Sequence, residues 1–298
     1  MDIGEKMKLI SSGHNMCAGC GVAIAVNLIS KACPKDVIVC CATSCLEVTT
    51  SPYPYTAWNV PWIHVAFENV SAVASGIEAG IKKLKKPWKV LAIAGDGGTF
   101  DIGFQALSGM LERKHKVTQI CVDNEAYMNT GIQRSGATPF GAWTTTSPPG
   151  KVSFGKEKPK KPLPFIVAAH GTPYVATATI AYPSDLIQKI KKGFEMQPSF
   201  IHILCPCPTG WRFDSSLSVE VSRKAVETGF FPLLEIEHGK VKITKRLTQK
   251  KPVEEYLKLQ GRFKHLKPKE IEKLQKWVDK NWEELEYLDK VEPIFVEE

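Results

Sequence analysis

No stretch of about 18 apolar residues occurs in the 298-residue chain, so a membrane-crossing helix is not expected. The segment Met1 to Asn15 lacks the apolar block of a secretory signal, and the expectation is a cytoplasmic protein. Such a compartment keeps thiols reduced, so the nine cysteines argue for metal ligation or plain burial rather than a disulfide framework. No internal repeat is visible. Also missing is the interleaving of aromatic and basic residues that marks nucleic-acid modules, although the net charge is +8 and Lys240 to Lys280 holds fourteen Lys or Arg against five Asp or Glu. That stretch reads as a solvated helical surface with lysines lying over apolar neighbours, and no nucleic-acid partner is expected. The length suffices for one large α/β domain or two small ones.

What the chain does carry is an alternation of short apolar runs and amphipathic segments. Helical spacing runs from Met16 to Ala32, and Asp36 to Ala42 reads as a buried strand, as does Pro61 to Phe67. Small and apolar residues alternate from Ser71 to Leu84, which suits a helix packed closely on a sheet. The unit Lys89 to Val122 reads as strand, helix and strand, its helix predicted over Asp101 to Lys116. Residues 136–164 have no period and are rich in Gly, Pro, Thr and Lys, which predicts a long loop acting as a lid or binding segment. The run Tyr174 to Ile180, a helix from Pro183 to Phe194 and a strand from Ser199 to Leu204 continue the pattern. The fold class is α/β, with a doubly wound, mostly parallel sheet. After Trp211 the alternation decays into a helix over Ser218 to Gly229, an extended pair around Gly239, and an amphipathic helix from Pro268 to Leu288 carrying Trp277 and Trp282. Residues 1–215 are read as one domain that includes the loop. Residues 216–298 are read as a C-terminal helical extension, whose last helix either makes subunit contacts or packs on its own domain.

The first strand of the Lys89 to Val122 unit closes on Gly95-Asp96-Gly97-Gly98, and Asn124 follows the second strand 28 positions after Asp96. A right-handed crossover makes the two strands parallel and brings both residues to the carboxyl edge of one sheet. Magnesium takes about six oxygens, commonly from one or two carboxylates and a substrate's phosphates. Asp96, the Asn124 amide oxygen and the backbone carbonyl at Ala126 are the candidate protein ligands. Gly95, Gly97 and Gly98 would let the backbone approach a diphosphate. A tight strand-to-helix turn is the competing reading of Gly-Asp-Gly alone.

Cys17 and Cys20 form a C-x-x-C pair, which by itself suits a zinc knuckle, a redox pair or two ordinary cysteines. Cys45 follows one predicted strand and Cys205 and Cys207 follow another, so all three sit at carboxyl strand ends. Cys33, Cys40, Cys41 and Cys121 lie in apolar runs and read as small buried hydrophobes.

The stretch Asp123-Asn-Glu-Ala-Tyr-Met-Asn-Thr-Gly131, taken with the Gly-Asp-Gly, resembles the thiamine diphosphate motif. More narrowly, Gly95 to Gly103, Asn129-Thr-Gly131, Gly13 to Gly21, Gly136 to Phe140 and Pro206 to Trp211 resemble the β subunits of 2-oxoacid:ferredoxin oxidoreductases, those acting on pyruvate above all. The resemblance spans most of the chain. It implies a fold of the thiamine diphosphate-binding type, magnesium, one [4Fe-4S] cluster and coenzyme A as co-substrate. The implied reaction is reversible oxidative decarboxylation of a 2-oxo acid, with electrons passing through the cluster to ferredoxin. Carried over, the cluster ligands are Cys17, Cys20, Cys45 and Cys207, with Cys205 the competitor for the fourth place. Thr130, Cys45 and Phe67 fall beside the cofactor, Phe67 having ordinary core as its other reading. Asn129 is the candidate near the substrate, a cap being its alternative.

The same resemblance implies an α subunit that brings the pyrimidine-side domain and the catalytic glutamate, and γ and δ subunits with further clusters. Glu47 and Glu68 match no such glutamate and are read as surface or capping residues. A basic face could steer an acidic electron carrier. Ile132-Gln133 stands where some relatives have a second glycine. Pyruvate is the first choice of substrate, with 2-ketoisovalerate and oxalate as alternatives, and a non-redox thiamine enzyme is the alternative chemistry.

Overall fold

A computed structural model describes residues 8–52 and 54–293; the start of the Met1 to Asn15 segment lies outside the described residues. In chain order the elements are α1 (Gly21–Ala32), β1 (Val37–Ala42), α2 (Cys45–Thr50), β2 (Trp62–Val65), α3 (Val70–Lys83), β3 (Lys89–Gly95), a π-helical turn (Gly97–Asp101), α4 (Phe104–Glu112) and β4 (Val117–Asp123). After a long connection come α5 (Leu163–Ala168), β5 (Tyr174–Thr179), α6 (Pro183–Glu195), β6 (Ser199–Leu204), α7 (Pro208–Trp211), α8 (Ser218–Glu227), β7 (Leu234–Glu237), β8 (Lys240–Ile243), α9 (Glu254–Leu257) and α10 (Pro268–Leu288).

The eight strands form one sheet in the order β2-β1-β3-β4-β6-β5-β7-β8. From β2 to β5 all neighbours are parallel, and the β7–β8 hairpin adds an antiparallel edge. Strands covered on both faces need apolar side chains on both. β3 carries them from Val90 to Ala94, and β4 is buried throughout, with Thr118, Gln119 and Asp123 among its apolar residues. One face packs Val26 and Ile29 of α1 and Leu186 and Ile190 of α6 over Leu91, Ile93 and Ile201. The other packs Ala74 of α3 and Leu107 and Met110 of α4 over Val90, Ala92 and Cys121. Burying one such aliphatic side chain contributes roughly 1.5–3 kcal/mol, so these two layers hold the carboxyl edge rigid.

Four expectations change in detail. The first helix starts at Gly21 rather than Met16, because Cys17 to Cys20 is a turn closed by the Cys20 N–H donating to the Cys17 carbonyl (3.1 Å). Gly19 in that turn has φ +67°, and a Cβ there would meet the Ser215 carbonyl oxygen at 2.1 Å. The helix after Gly-Asp-Gly starts at Phe104 rather than Asp101, since Gly97–Asp101 winds as a π turn, a shape frequent at functional sites. The 136–164 loop, expected as a lid or binding segment, is strapped to the body by lysines. Lys156 is buried and donates to the carbonyls of Gly136 and Thr138, and Lys161 donates to the Phe100 carbonyl. Finally, in the segment expected as a helical extension, the extended pair around Gly239 is a hairpin, after α8, that completes the sheet. Its last helix turns Leu274, Val278, Trp282 and Leu285 inward and leaves Trp277 39 % exposed. Much of its positive charge is paired, as in Lys250 with Asp279 and Lys251 with Glu227.

Candidate functional site

Parallel register decides what meets at the carboxyl edge. Gly95 of β3 lies beside Val122 of β4, and Asp123 beside Leu204 of β6, so Asp96, Asn124 and Cys205 to Cys207 leave the sheet side by side. Asp96 is 2 % exposed. The Ser135 hydroxyl donates to its Oδ2 at 2.5 Å, which leaves Oδ1 turned toward Asn124. The Asn124 Oδ1 stands 3.1 Å from Asp96 Oδ1 and 2.9 Å from the Ala126 carbonyl oxygen. Adjacent ligands of an octahedral cation with bonds of about 2.1 Å lie about 3 Å apart, so Asn124 Oδ1 stands from each of the other two oxygens at the spacing of neighbouring ligands in a magnesium shell. Half a turn of the amide would instead aim its NH2 at the two acceptors. The first orientation, which a cation held between the oxygens would require, leaves Asn124 Nδ2 facing Cys45 Sγ at 4.0 Å. Burial above all, then the charge of nearby Asp123, pushes the Asp96 carboxyl well above the ordinary carboxylate range, and a cation offsets both effects.

A cavity of about 80 Å³ opens over this trio, lined among others by Thr43, Ser44, Cys45, Val48, Phe67, Gly95, Gly97, Tyr127, Asn129 and Thr130. Asp96, Asn124 and Ala126 form part of the same wall, so the residues singled out for cofactor contact meet there, Gly98 excepted, which packs on the Phe67 backbone. Gly97 acts differently from expectation: a Cβ at this position would strike the Tyr127 ring at 2.3 Å, so the glycine makes room for a tyrosine. That ring pairs with Phe67 at 5.7 Å between centroids, and its hydroxyl donates to Asp101 at 2.9 Å. Asn129 and Thr130 are exposed at the mouth. Asn129 sits in the turn that follows Tyr127 and heads no helix. The same turn continues into Ile132 with φ +65°, a region a β-branched residue rarely occupies.

A second cavity, of about 250 Å³, is lined by Cys17, Cys20, Cys45, Cys205 and Cys207 together with Met16, Val22 and Pro206. Among the described residues no three His, Cys, Asp or Glu side chains meet at a single-ion position; the thiols stand around a space. Burial first, then the proximity of Cys207 and Cys20, pushes the Cys45 thiol up to about 12. Cys20 and Cys207 also rise through burial, against N–H groups that favour their thiolates. A coordinating metal removes such protons outright. Cys207 and Cys205 differ. Cys207 is half-buried at the N-cap of α7, where its sulfur accepts the Gly210 N–H at 3.3 Å. Cys205 is 0 % exposed, and its thiol donates to the Ile203 carbonyl at 3.4 Å. Cys40, Cys41 and Cys121 are buried and Cys33 is partly so. The two cavities share Cys45, Asn124, Met128 and Asn129.

Sequence reading passed over Tyr127 and Met128, which stood inside the quoted motif as apolar filler, and Ser135, which carried no signal. It also missed the buried charges beneath the site. Asp123 and Glu125 both pair with Lys160, at 2.7 and 2.6 Å, and Glu125 pairs with Arg262 at 2.6 Å. Burial works against the Asp123 carboxylate, yet Lys160 and His202 outweigh it and hold its pKa below the ordinary value. Glu47 is buried rather than at the surface, 3.4 Å from His64.

Residues 38–203 match the C-terminal TPP-binding domain of thiamine pyrophosphate enzymes. The pyruvate synthase subunit PorB of Methanothermobacter thermautotrophicus is 55 % identical over 287 residues, covering 96 % of this chain and 99 % of that protein. The ketoisovalerate oxidoreductase subunit VorB of Pyrococcus horikoshii is 49 % identical, covering 94 % and 93 %. Among solved structures, the 2-oxoglutarate:ferredoxin oxidoreductase of Magnetococcus marinus, with 2-oxoglutarate, coenzyme A and succinyl-CoA bound, shares the fold. Its TM-score is 0.58 at 24 % identity, covering 74 % of this chain and 81 % of that one. Among the described residues no helix is long and apolar enough to cross a membrane. With a domain match over more than half its length and relatives 55 % identical along nearly all of it, the chain belongs to the thiamine pyrophosphate enzymes, as a β subunit of the 2-oxoacid:ferredoxin oxidoreductase family.

Proposed function

We propose that the chain carries the diphosphate half of a pyruvate-oxidising site and the first station of its electron path. The observation that carries this reading is the shared wall: an oxygen trio spaced for magnesium and a ring of thiols border neighbouring cavities that have Cys45, Asn124, Met128 and Asn129 in common. Asp96, Asn124 and the Ala126 carbonyl hold Mg2+, which clamps the diphosphate. Gly95, Thr130, Phe67 and Cys45 bound the cofactor, and Ser135 fixes which Asp96 oxygen faces the metal. When bound, thiamine diphosphate supplies the electron sink for loss of CO2 from a 2-oxo acid. Cys17, Cys20, Cys45 and Cys207 hold one [4Fe-4S] cluster, which supplies an electron acceptor next to that chemistry. The N–H donated to Cys207 at the start of α7 favours thiolate character, and this supports Cys207 over Cys205 as the fourth ligand.

Asn129, at the open mouth, is placed to hydrogen-bond the substrate or the coenzyme A that takes the acyl group. Exposed Val48, Asn129 and Thr130 leave the mouth to be closed by another chain. An α subunit with the pyrimidine-side domain and the catalytic glutamate is the partner that fits. Further subunits, γ and δ, with their own clusters then pass electrons to ferredoxin in the cytoplasm. Pyruvate is favoured over 2-ketoisovalerate by the higher identity to the pyruvate synthase relatives.

The test is anaerobic purification of the chain with its accompanying subunits, followed by iron, sulfide and zinc analysis and assays with both 2-oxo acids. About four irons and four sulfides on this chain, with higher kcat/KM for pyruvate, are the expected results. Zinc without sulfide would leave a non-redox thiamine enzyme.

A further inference from the structure

The residue between the two middle oxygen donors is Glu125, and its backbone has φ +65°, a left-handed conformation that a non-glycine residue adopts only when its surroundings impose it. That conformation turns the Asn124 side chain and the Ala126 carbonyl to the same side. The forces imposing it come from far away in sequence. Arg262, 2 % exposed, donates to Glu125 Oε2 at 2.6 Å. The same guanidinium stacks on Trp211 at 3.7 Å, and the Trp211 indole N–H donates to the Asn124 carbonyl at 2.7 Å. Lys160, from the strapped-down loop, bridges Asp123 and Glu125. Asp123 Oδ1 in turn accepts the Glu125 N–H at 2.7 Å, and Thr138 donates to the Glu125 carbonyl at 2.6 Å.

The charges close on themselves. Lys160 and Arg262 are committed to Asp123 and Glu125, and His202, kept neutral by burial, bonds Asp123 at 2.6 Å. Asp96, by contrast, accepts its hydrogen bond from the neutral Ser135 hydroxyl.

We infer that Arg262 and Lys160 are positioning residues for the divalent cation: through Glu125 and Trp211 they lock the Asn124–Ala126 turn, so the segment after residue 216 and the 136–164 loop together set metal affinity. This rests on the reading of Asp96, Asn124 and Ala126 as the cation's ligands. Groups that orient metal ligands typically change affinity by about 10–100-fold when lost.

The experiment measures Mn2+ dissociation constants by EPR, in the presence of thiamine diphosphate, on the chain purified with its native subunits. Wild type, Asp96→Ala and Arg262→Met are compared, together with the double variant Glu125→Gln/Arg262→Met. The double variant removes the buried pair without stranding a charge and so guards against simple misfolding. Expected is a loss of about tenfold or more in Mn2+ affinity for both Arg262 variants, with iron content and thermal midpoint of the double variant near wild type. Excess Mn2+ should restore its turnover. Affinity equal to wild type in a folded Arg262 variant overturns the inference. Tight Mn2+ binding that survives Asp96→Ala overturns the site reading itself, and the inference with it.

Discussion

The two halves of the carboxyl edge are built in opposite ways. The oxygen trio comes from a single β3–α4–β4 unit, its donors set by strand register and braced by buried ion pairs. The thiols come from three remote segments, at Cys17 and Cys20, at Cys45 and at Cys207, with Cys17 exposed and Cys20, Cys45 and Cys207 half-buried. The first half is preorganised before any ligand arrives. The second is an open ring of thiols around a cavity, and among the described residues no buried ion pair joins its members. Asn124 joins them, its amide lying between Asp96 and Cys45.

Substitutions can break this contrast, the most severe first. Cys45→Ser removes a thiol from the shared wall; iron and sulfide should fall to background and turnover with them, while metal-dependent thiamine diphosphate binding by calorimetry persists. Loss of both would mean that the oxygen site also depends on the cluster. Asp96→Ala should do the reverse, weakening magnesium-dependent cofactor binding by more than about 100-fold with full iron content. Ser135→Ala strips the hydroxyl from a buried carboxylate oxygen. It is expected to lower metal affinity by about tenfold and stability by roughly 1–3 kcal/mol, read from urea midpoints. Cys205→Ala sharpens the assignment at the sulfur half: iron and sulfide should be unchanged and stability should drop by about 1 kcal/mol. Iron loss in that variant would move the fourth ligand from Cys207 to Cys205. The smallest effect is expected from Ile132→Gly. Relief of the left-handed conformation, roughly 1–2 kcal/mol, is offset by about 0.4–1 kcal/mol of added freedom in the unfolded chain. A gain of up to about 1.6 kcal/mol in a denaturant titration would mark Ile132 as strained.

Local patterns carried much of this molecule. The runs at Ser199–Leu204 and Pro268–Leu288 were readable to the residue, because a buried parallel strand is mostly apolar, as Phe200, Ile201, Ile203 and Leu204 are here, and an amphipathic helix repeats every 3.6 residues. The Asp96 and Asn124 pairing was readable too, since both ends of one strand-helix-strand unit must emerge on the same edge. Where periodicity was absent, the sequence showed a long loop but not what holds it. From the 136–164 segment Lys156, Lys160 and Lys161 reach inward to pin it. The fate of a lysine is set by which carboxylates and carbonyls lie nearby in space, and no local spacing encodes that.

By itself the sequence determined the α/β architecture, the motif at Gly95 to Gly98 and the set of cysteines available at strand ends, all of which rest on short-range regularities. The tertiary structure alone decided that Arg262 reaches Glu125 across 137 positions, and that Asn124 stands between oxygen and sulfur. It likewise decided that the hairpin after residue 216 completes the sheet. These are long-range contacts between buried polar groups, whose energies depend on desolvation and partner geometry and appear only once the chain has folded around them.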